Sequence, residues 1–266
     1  MIDHQQFGFL LLTEPAPGVV LATLNRPQKL NAIDDSGHAE IVRLLDLAET
    51  DDDVKVLVVT GAGRAFCAGG DISDEDGGHT EDAAERVHRL YERNVRTVNR
   101  LVAFPKPIIA AVNGVAVGAG LRLAVMADIS IVAEDARLID GHLQLGVTAG
   151  DHAALLWPLL CGIAKAKYYL MTTEPLSGTE AAQMGLVSQA LPRDQVLDRA
   201  LRLAIGMTQA SQHALRGTKR ALNHWMRSAL PAFEHSASME AMNFLLADSE
   251  RAIASTLDRM SKDGNS

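Results

Sequence analysis

The spacing of apolar and polar residues changes along this chain, and the change divides it. Val19 to Leu24 is a short apolar run halted by Asn25-Arg26-Pro27 and predicts a strand. Ile41, Leu44, Leu45 and Ala48 recur at helical spacing. Val54 to Thr60 is apolar apart from Lys55 and closes on Gly61-Ala62-Gly63, as expected of a strand buried on both faces. Residues 72–82 are acidic, contain glycine and lack periodicity, which predicts a mobile surface loop. A long polar helix is expected from about Glu81 to Leu101, ended by Pro105 and Pro107. Ile108 to Val112 then reads as a second buried strand, turned by Asn113-Gly114. A short helix from Gly118 to Met126 and a third strand from Asp128 to Val132 follow. From about Arg193 the pattern is helical only, with breaks expected near Gly217 and Pro231. The fold class is therefore α/β, with an alternating core over 1–192 and an all-helical region over 193–266.

Composition narrows the function. Aromatic residues are 4% of the 266, too few for stacking platforms on single-stranded nucleic acid. The net charge of −8, from 25 basic against 33 acidic residues, disfavours duplex DNA and anionic membranes as partners. Two cysteines, Cys67 and Cys161, make neither a disulfide framework nor a four-cysteine zinc site, and predict reduced thiols in a cytoplasmic protein. The first residues lack the basic start of a signal peptide. The longest apolar stretch, Pro107 to Ala133, is interrupted by Asn113, Arg122 and Asp128, so it is read as strand, helix and strand, not as a membrane span.

Gly61-x-Gly63 after a strand resembles the start of a dinucleotide fingerprint, but Phe66 stands where the third glycine belongs. Gly118-x-Gly120 fails the same way, with Leu123 there. No P-loop, G-x-S-x-G or H-E-x-x-H occurs. Two small-residue segments follow buried strands, Ala65-Phe66-Cys67-Ala68-Gly69-Gly70-Asp71-Ile72 and Gly118-Ala119-Gly120-Leu121. Small residues leave backbone N–H groups open, and two converging N–H groups make an oxyanion hole. Tight helix–strand packing would require the same glycines, and spacing alone does not separate the two.

These segments, together with Leu24-Asn25-Arg26-Pro27, Asn31-Ala32, Pro107 to Gly120, Ala127-Asp128-Ile129 and Gly185-Leu186-Val187, resemble the crotonase superfamily, the enoyl-CoA hydratase/isomerase family, over about residues 8–260. The resemblance implies a superhelix of β-β-α units with a helical C-terminal trimerisation region. It implies an acyl-CoA substrate, with coenzyme A arriving as part of that substrate and no separate cofactor or metal. The oxyanion donors would be the N–H groups of Gly70 and Ala119. Ala68, Asp71, Ile72 and Ser73 would line the CoA pocket, and Arg26 and Lys29 would lie near its phosphates. Homotrimers, or dimers of trimers, are the implied assembly.

The departures from the family pattern bear on mechanism. Arg122 and His142 occupy the positions of the two glutamates of a typical hydratase. His142 and Asp151, nine residues apart and followed by Trp157-Pro158, resemble the His-Asp pair of the superfamily's β-diketone hydrolases. A neutral His142 oriented by Asp151 would be a general base near pH 7, with activity rising through the ordinary histidine pKa of about 6.5. Asp151 could instead cap the apolar helix that follows it, and His142 could be a core histidine. In the superfamily's dehalogenases the nucleophilic aspartate falls one residue earlier, at Gly150 here. Arg122 either pairs with Asp128, Asp140 or Asp151, or faces an oxygen of the acyl group. His152 is expected to point away, and Glu240 to be mainly structural. The expected function is acyl-CoA transformation through a thioester enolate. Hydrolytic C–C cleavage of a β-dicarbonyl substrate is one alternative, and a non-catalytic binding protein another.

Overall fold

The computed structural model describes residue 2, residues 6–72 and residues 82–263, with side chains as far as residue 259. Most of the acidic stretch expected to be a mobile loop, Ser73 included, lies outside the described residues. The chain forms two sheets. Strands β1 (Leu10–Ala16), β2 (Val19–Leu24), β3 (Val56–Gly61), β5 (Ile108–Val112), β7 (Ile129–Ala133) and β10 (Gln189–Leu191) make a six-stranded sheet in the order β1-β2-β3-β5-β7-β10. Only the β1–β2 hairpin in it is antiparallel. Strands β4 (Ala65–Cys67), β6 (Val115–Val117), β8 (Arg137–Ile139) and β9 (Leu176–Ser177) make the second sheet, in that order.

The helices are α1 (Asp35–Thr50), α2 (Ala83–Ala103), α3 (Ala119–Val125), α4 (Ala153–Thr172), α5 (Gly178–Gln183), α6 (Arg193–Thr208), α7 (Gln212–Asn243) and α8 (Ala247–Asp263). The repeating unit is a long strand, a short strand and a helix. β3 and β4 precede α2, β5 and β6 precede α3, and β7 and β8 precede a short 3-10 helix at His142–Leu145. The long strands join the large sheet and the short ones the small sheet. This is the β-β-α spiral that the resemblance implied.

Local chemistry explains the framework. β5, Ile108–Val112, is buried at every position because both faces of the sheet are covered. α1 buries Ile41, Val42, Leu44, Leu45 and Ala48 on one face, and Asp34 caps it by accepting from Gly37 N–H at 2.8 Å. α2 begins with a reciprocal Asp82–Glu85 capping box. Asn31, fully buried, donates its amide to the carbonyls of Ala62, Ala65 and Phe66 at 2.9, 3.0 and 3.2 Å and so ties the β3–β4 turn to the loop after β2.

Two expectations change. The C-terminal region does not break at Gly217 or Pro231, because α7 is one helix of 32 residues. Residues Lys219, Asn223, Phe233, Ser236, Ala237, Glu240 and Ala241 are buried along its length. Packing of that face outweighs the local cost of a glycine and a proline. A break does occur in α4, where Gly162 has φ 78° and ψ 155°. β1 and the strands of two or three residues were not foreseen, because so short a run, or one that goes from Leu10-Leu11-Leu12 straight to Thr13-Glu14-Pro15, carries no readable alternation.

Gly120 sets the distance between α3 and β4: a Cβ there would stand 2.4 Å from Cys67 O and 2.6 Å from its Cβ. Gly120→Ala should destabilise the chain by about 1–3 kcal/mol through forced backbone movement. Urea unfolding measures this, and an unchanged midpoint would show that the contact yields freely.

Candidate active site

The small-residue segments meet at one edge of the small sheet. β4 pairs with β6, and the chain leaves β6 directly into α3. Gly69 has φ +105°, and a Cβ on it would lie 3.1 Å from Val117 O, so this loop and the entry to α3 are in close approach. Ile33 N–H donates to Gly69 O at 2.8 Å and Asp71 N–H to Ile33 O at 2.9 Å, which bracket Gly70 in a bridge. Neither the Gly70 nor the Ala119 N–H has a backbone acceptor among the described residues. Both residues are half-buried, as a ligand-facing donor requires.

Beside them lies a buried set of charges drawn from six segments. His142, in the 3-10 helix after β8, is 7% exposed. Its Nδ1 contacts Asp140 Oδ1 at 2.9 Å. Its Nε2 stands 3.6 Å from Asp151 Oδ1 and 3.5 Å from Glu240 Oε1, within ion-pair range but beyond a hydrogen bond. The carboxylate that orients the ring is therefore Asp140, not Asp151, because it sits two residues away on the same turn. Asp151 does not cap α4, which starts at Ala153 without a side-chain cap. Its Oδ1 instead accepts from His152 N–H at 2.6 Å and is in contact with His152 Nδ1. His152 thus faces this cluster, contrary to expectation.

Glu240 arrives from α7 and is also more than a packing residue. Its Oε2 accepts from Asn94 Nδ2 of α2 at 2.9 Å. A Cβ on residue 150 would lie 2.3 Å from that same Oε2, so Gly150 is the gap through which Glu240 reaches the site. Arg122 of α3 is fully buried. Its NH1 donates to Asn94 Oδ1 and its NH2 to His38 Nδ1, each at 3.2 Å. Of the three partners considered from sequence, Asp151 is the one it approaches, at 3.7 Å, while Asp128 pairs with Lys219. Sequence reasoning named Asp140 only as a partner for Arg122, not for His142, and missed Asn94 and His38. The last two were visible only as polar residues on otherwise apolar helix faces.

A model of the family described as enoyl-CoA hydratase/isomerase matches residues 14–258. The chain belongs to the enoyl-CoA hydratase/isomerase family. It is similar to the 1,2-epoxyphenylacetyl-CoA isomerase of Escherichia coli (strain K12), 36% identical over 216 residues that cover 80% of this chain and 81% of that one. It is equally similar to the 2,3-dehydroadipyl-CoA hydratase of the same strain, 36% identical over 216 residues covering 80% and 82%. Among solved structures, an enoyl-CoA hydratase/isomerase from Mycobacterium paratuberculosis superposes with a TM-score of 0.86 at 32% identity, covering 93% of this chain and 98% of the other. The protein is an acyl-CoA-transforming enzyme with the crotonase fold.

Within this hydratase/isomerase framework the protonation states are set by burial and neighbouring charge. For His142 burial opposes the charge, but the carboxylates of Asp140, Asp151 and Glu240 outweigh it and hold the imidazole well above its usual pKa. For His38 the balance is reversed: burial, Arg93 and Arg122 push it well below, so it stays neutral and accepts from Arg122. Asp151 resists burial because His152, His142 and Arg122 hold its carboxyl below the usual range. Burial pushes the Cys67 thiol up to about 12, which makes it an inert packing group. The neighbouring carboxylates thus favour the charged form of His142, where the sequence led to the expectation of a neutral base.

Arg26 and Lys29 converge on one oxygen, Asp71 Oδ2, at 3.0 and 2.9 Å. Arg26 also meets Asp34 at 2.9 Å and Ala32 O at 3.0 Å. Lys29, 47% exposed, is the cation more open to a ligand. Asp140, Asp151 and His152 bring three ligand atoms within 4.8 Å of one another. A cation held there would share Asp151 with the Arg122 guanidinium, so we read the cluster as an ion-pair network.

Asp140→Asn should lower the His142 pKa, which ring titration by NMR reads directly. The linkage has a definite sign. A raised pKa contributes stability that is fully present below the unfolded value of about 6.5 and is lost as pH rises through the folded value. The wild type should therefore lose stability on the alkaline side, and the variant less so. An unmoved titration in Asp140→Asn would remove Asp140 from this role.

Proposed function

We propose that this enzyme moves a proton on an acyl-CoA thioester, with Gly70 and Ala119 N–H groups holding the thioester oxygen and His142 as the proton donor. The observation that carries this is His142 Nε2 between two carboxylates, too far from either for a hydrogen bond, on a ring whose charge three carboxylates favour. Two N–H groups on the carbonyl oxygen stabilise the enolate that forms when an adjacent C–H loses its proton. A carboxylate, Glu240, takes that proton, and the imidazolium returns one at another carbon. The net change is a shifted double bond. Arg122 fixes Asp151 and, through Asn94, Glu240.

On this reading Ala68, Asp71 and Ile72 flank the CoA chain, with Arg26 holding Asp71 and Lys29 nearest the phosphates. The two free cysteines suit a cytoplasmic setting. Among the described residues, no helix is long and apolar enough to cross a membrane.

A second reading has a specific basis: neither position of the hydratase glutamates carries one, since they hold Arg122 and His142. In C–C hydrolysis of a β-dicarbonyl thioester, a carboxylate would deprotonate water for attack on the distal carbonyl. The C–C bond would break to leave the thioester enolate, and His142 would protonate it.

Two assays on one set of proteins separate the readings: isomerisation or hydration of enoyl-CoA, and release of one carboxylic acid and a shortened acyl-CoA from a β-ketoacyl-CoA in labelled water. In whichever the wild type passes, His142→Ala should lose turnover by roughly 10²–10⁴-fold with CoA affinity retained. Activity should fall, not rise, as pH climbs through the elevated His142 pKa. Full activity in His142→Ala would overturn both readings.

Assembly follows from uncovered apolar surface. α4 exposes Leu159, Leu160, Ile163 and Met171, and α7 exposes Leu222 and Trp225. A single subunit leaves these faces in water, which favours a closed ring of copies. Light scattering should give a trimer or hexamer, and a monomer at micromolar concentration would contradict this.

A further inference from the structure

A cavity of about 440 Å³ opens between the C-terminal end of α2 and the first half of α7, remote from the catalytic cluster. Asn94 lies eight residues up α2 from Val102, about 12 Å at helical rise, and Glu240 lies thirteen residues beyond Arg227 on α7, about 20 Å. The cavity also borders the start of β5 and β7, where Lys219 holds Lys106 O and Asp128, whereas α3 and the oxyanion donors follow the far end of β5.

Its lining is strongly basic. Arg216, Lys219, Arg220 and Arg227 come from α7 and face a wall that includes Phe104. Glu49 is the one acidic residue among those lining it, and Glu49 is paired with Arg100. Lys219 is likewise committed, to Asp128 at 2.7 Å. No carboxylate pairs with Arg216, Arg220 or Arg227 among the described residues. Nor do these guanidiniums act as caps for α2: Val102 O is taken by Asn223, and the contact made by Arg227 is with Arg220 O on its own helix. Arg216 Nε is buried with no hydrogen-bond partner at all. The charge is felt nearby, since Lys106 is pushed below its ordinary pKa by burial and by Arg216.

Three unpaired guanidiniums converging on a cavity of small-molecule size form a receptor for an anion with several oxygens, because each planar fork engages two of them. We propose that this cavity is a second ligand site, separate from the catalytic one, that binds a phosphate-bearing small molecule through Arg216, Arg220 and Arg227.

Pyrophosphate is a suitable probe, titrated calorimetrically into the full-length protein at constant ionic strength. Saturable binding of one pyrophosphate per chain is expected. Each of Arg216→Ala and Arg227→Ala should weaken it about tenfold, the weight of one charge-assisted hydrogen bond. Arg220→Glu, at an exposed position without a side-chain partner, should abolish it while leaving the fold intact by circular dichroism. Lys29→Ala should leave it unchanged, since Lys29 belongs to the proposed CoA site. Four results would overturn the proposal: no binding to wild type, undiminished binding to Arg220→Glu, loss of binding in Lys29→Ala, or a change of molecular mass in Arg220→Glu that marks this face as a subunit contact.

Discussion

Two cations, Arg122 and His142, are buried in the same small volume, and the rest of the site is arranged so that neither is left without opposite charge. A lone buried charge would cost several kcal/mol, so removing any one carboxylate is felt by both. Asp151 is the shared element. It stands within ion-pair range of Arg122 on one oxygen and of His142 and His152 on the other. Asp140 holds the far side of the His142 ring, and Glu240 completes the set while Asn94 bridges it to Arg122. The network explains why polar residues interrupt otherwise apolar helix faces at His38, Asn94 and Glu240.

The same network separates two histidines of one protein into opposite states. His142 faces carboxylates, which raise its pKa, while His38 faces guanidiniums, which together with burial lower its own. Identical side chains at similar burial thus acquire different chemistry from their neighbours alone. The same residue type thus favours its charged form at one position and a neutral hydrogen-bond acceptor at the other.

Much of the fold was legible because the central strands are buried on both faces and the amphipathic helices are long. β2, β5, α1 and α2 fall within a few residues of their expected positions. The family text around Gly70 and Ala119 marked the close approach of that loop to the entry of α3 for a similar reason: backbone approach demands small residues at fixed places, and that demand is written in the sequence. The charge network was only half legible. His142, Asp151 and Arg122 stood at family positions, but their partners depend on which helix faces meet. Asp140 lies too near His142 for spacing to distinguish it from a loop aspartate. Asn94 and Glu240 are 146 residues apart and touch only because α2 and α7 pack side by side. The continuity of α7 through Gly217 and Pro231 was hidden for a related reason, since tertiary burial overrode two strong local signals.

Glu240 gives the helical tail a significance beyond assembly. The spiral of residues 1–192 could emerge from the ribosome and collapse around its own sheets, yet its charge cluster would hold two cations against an incomplete set of anions. Only when α7 has been synthesised and laid along α2 does the last carboxylate enter through the gap at Gly150. The anions of the cluster are thus completed from the helical region, far along the chain from His142.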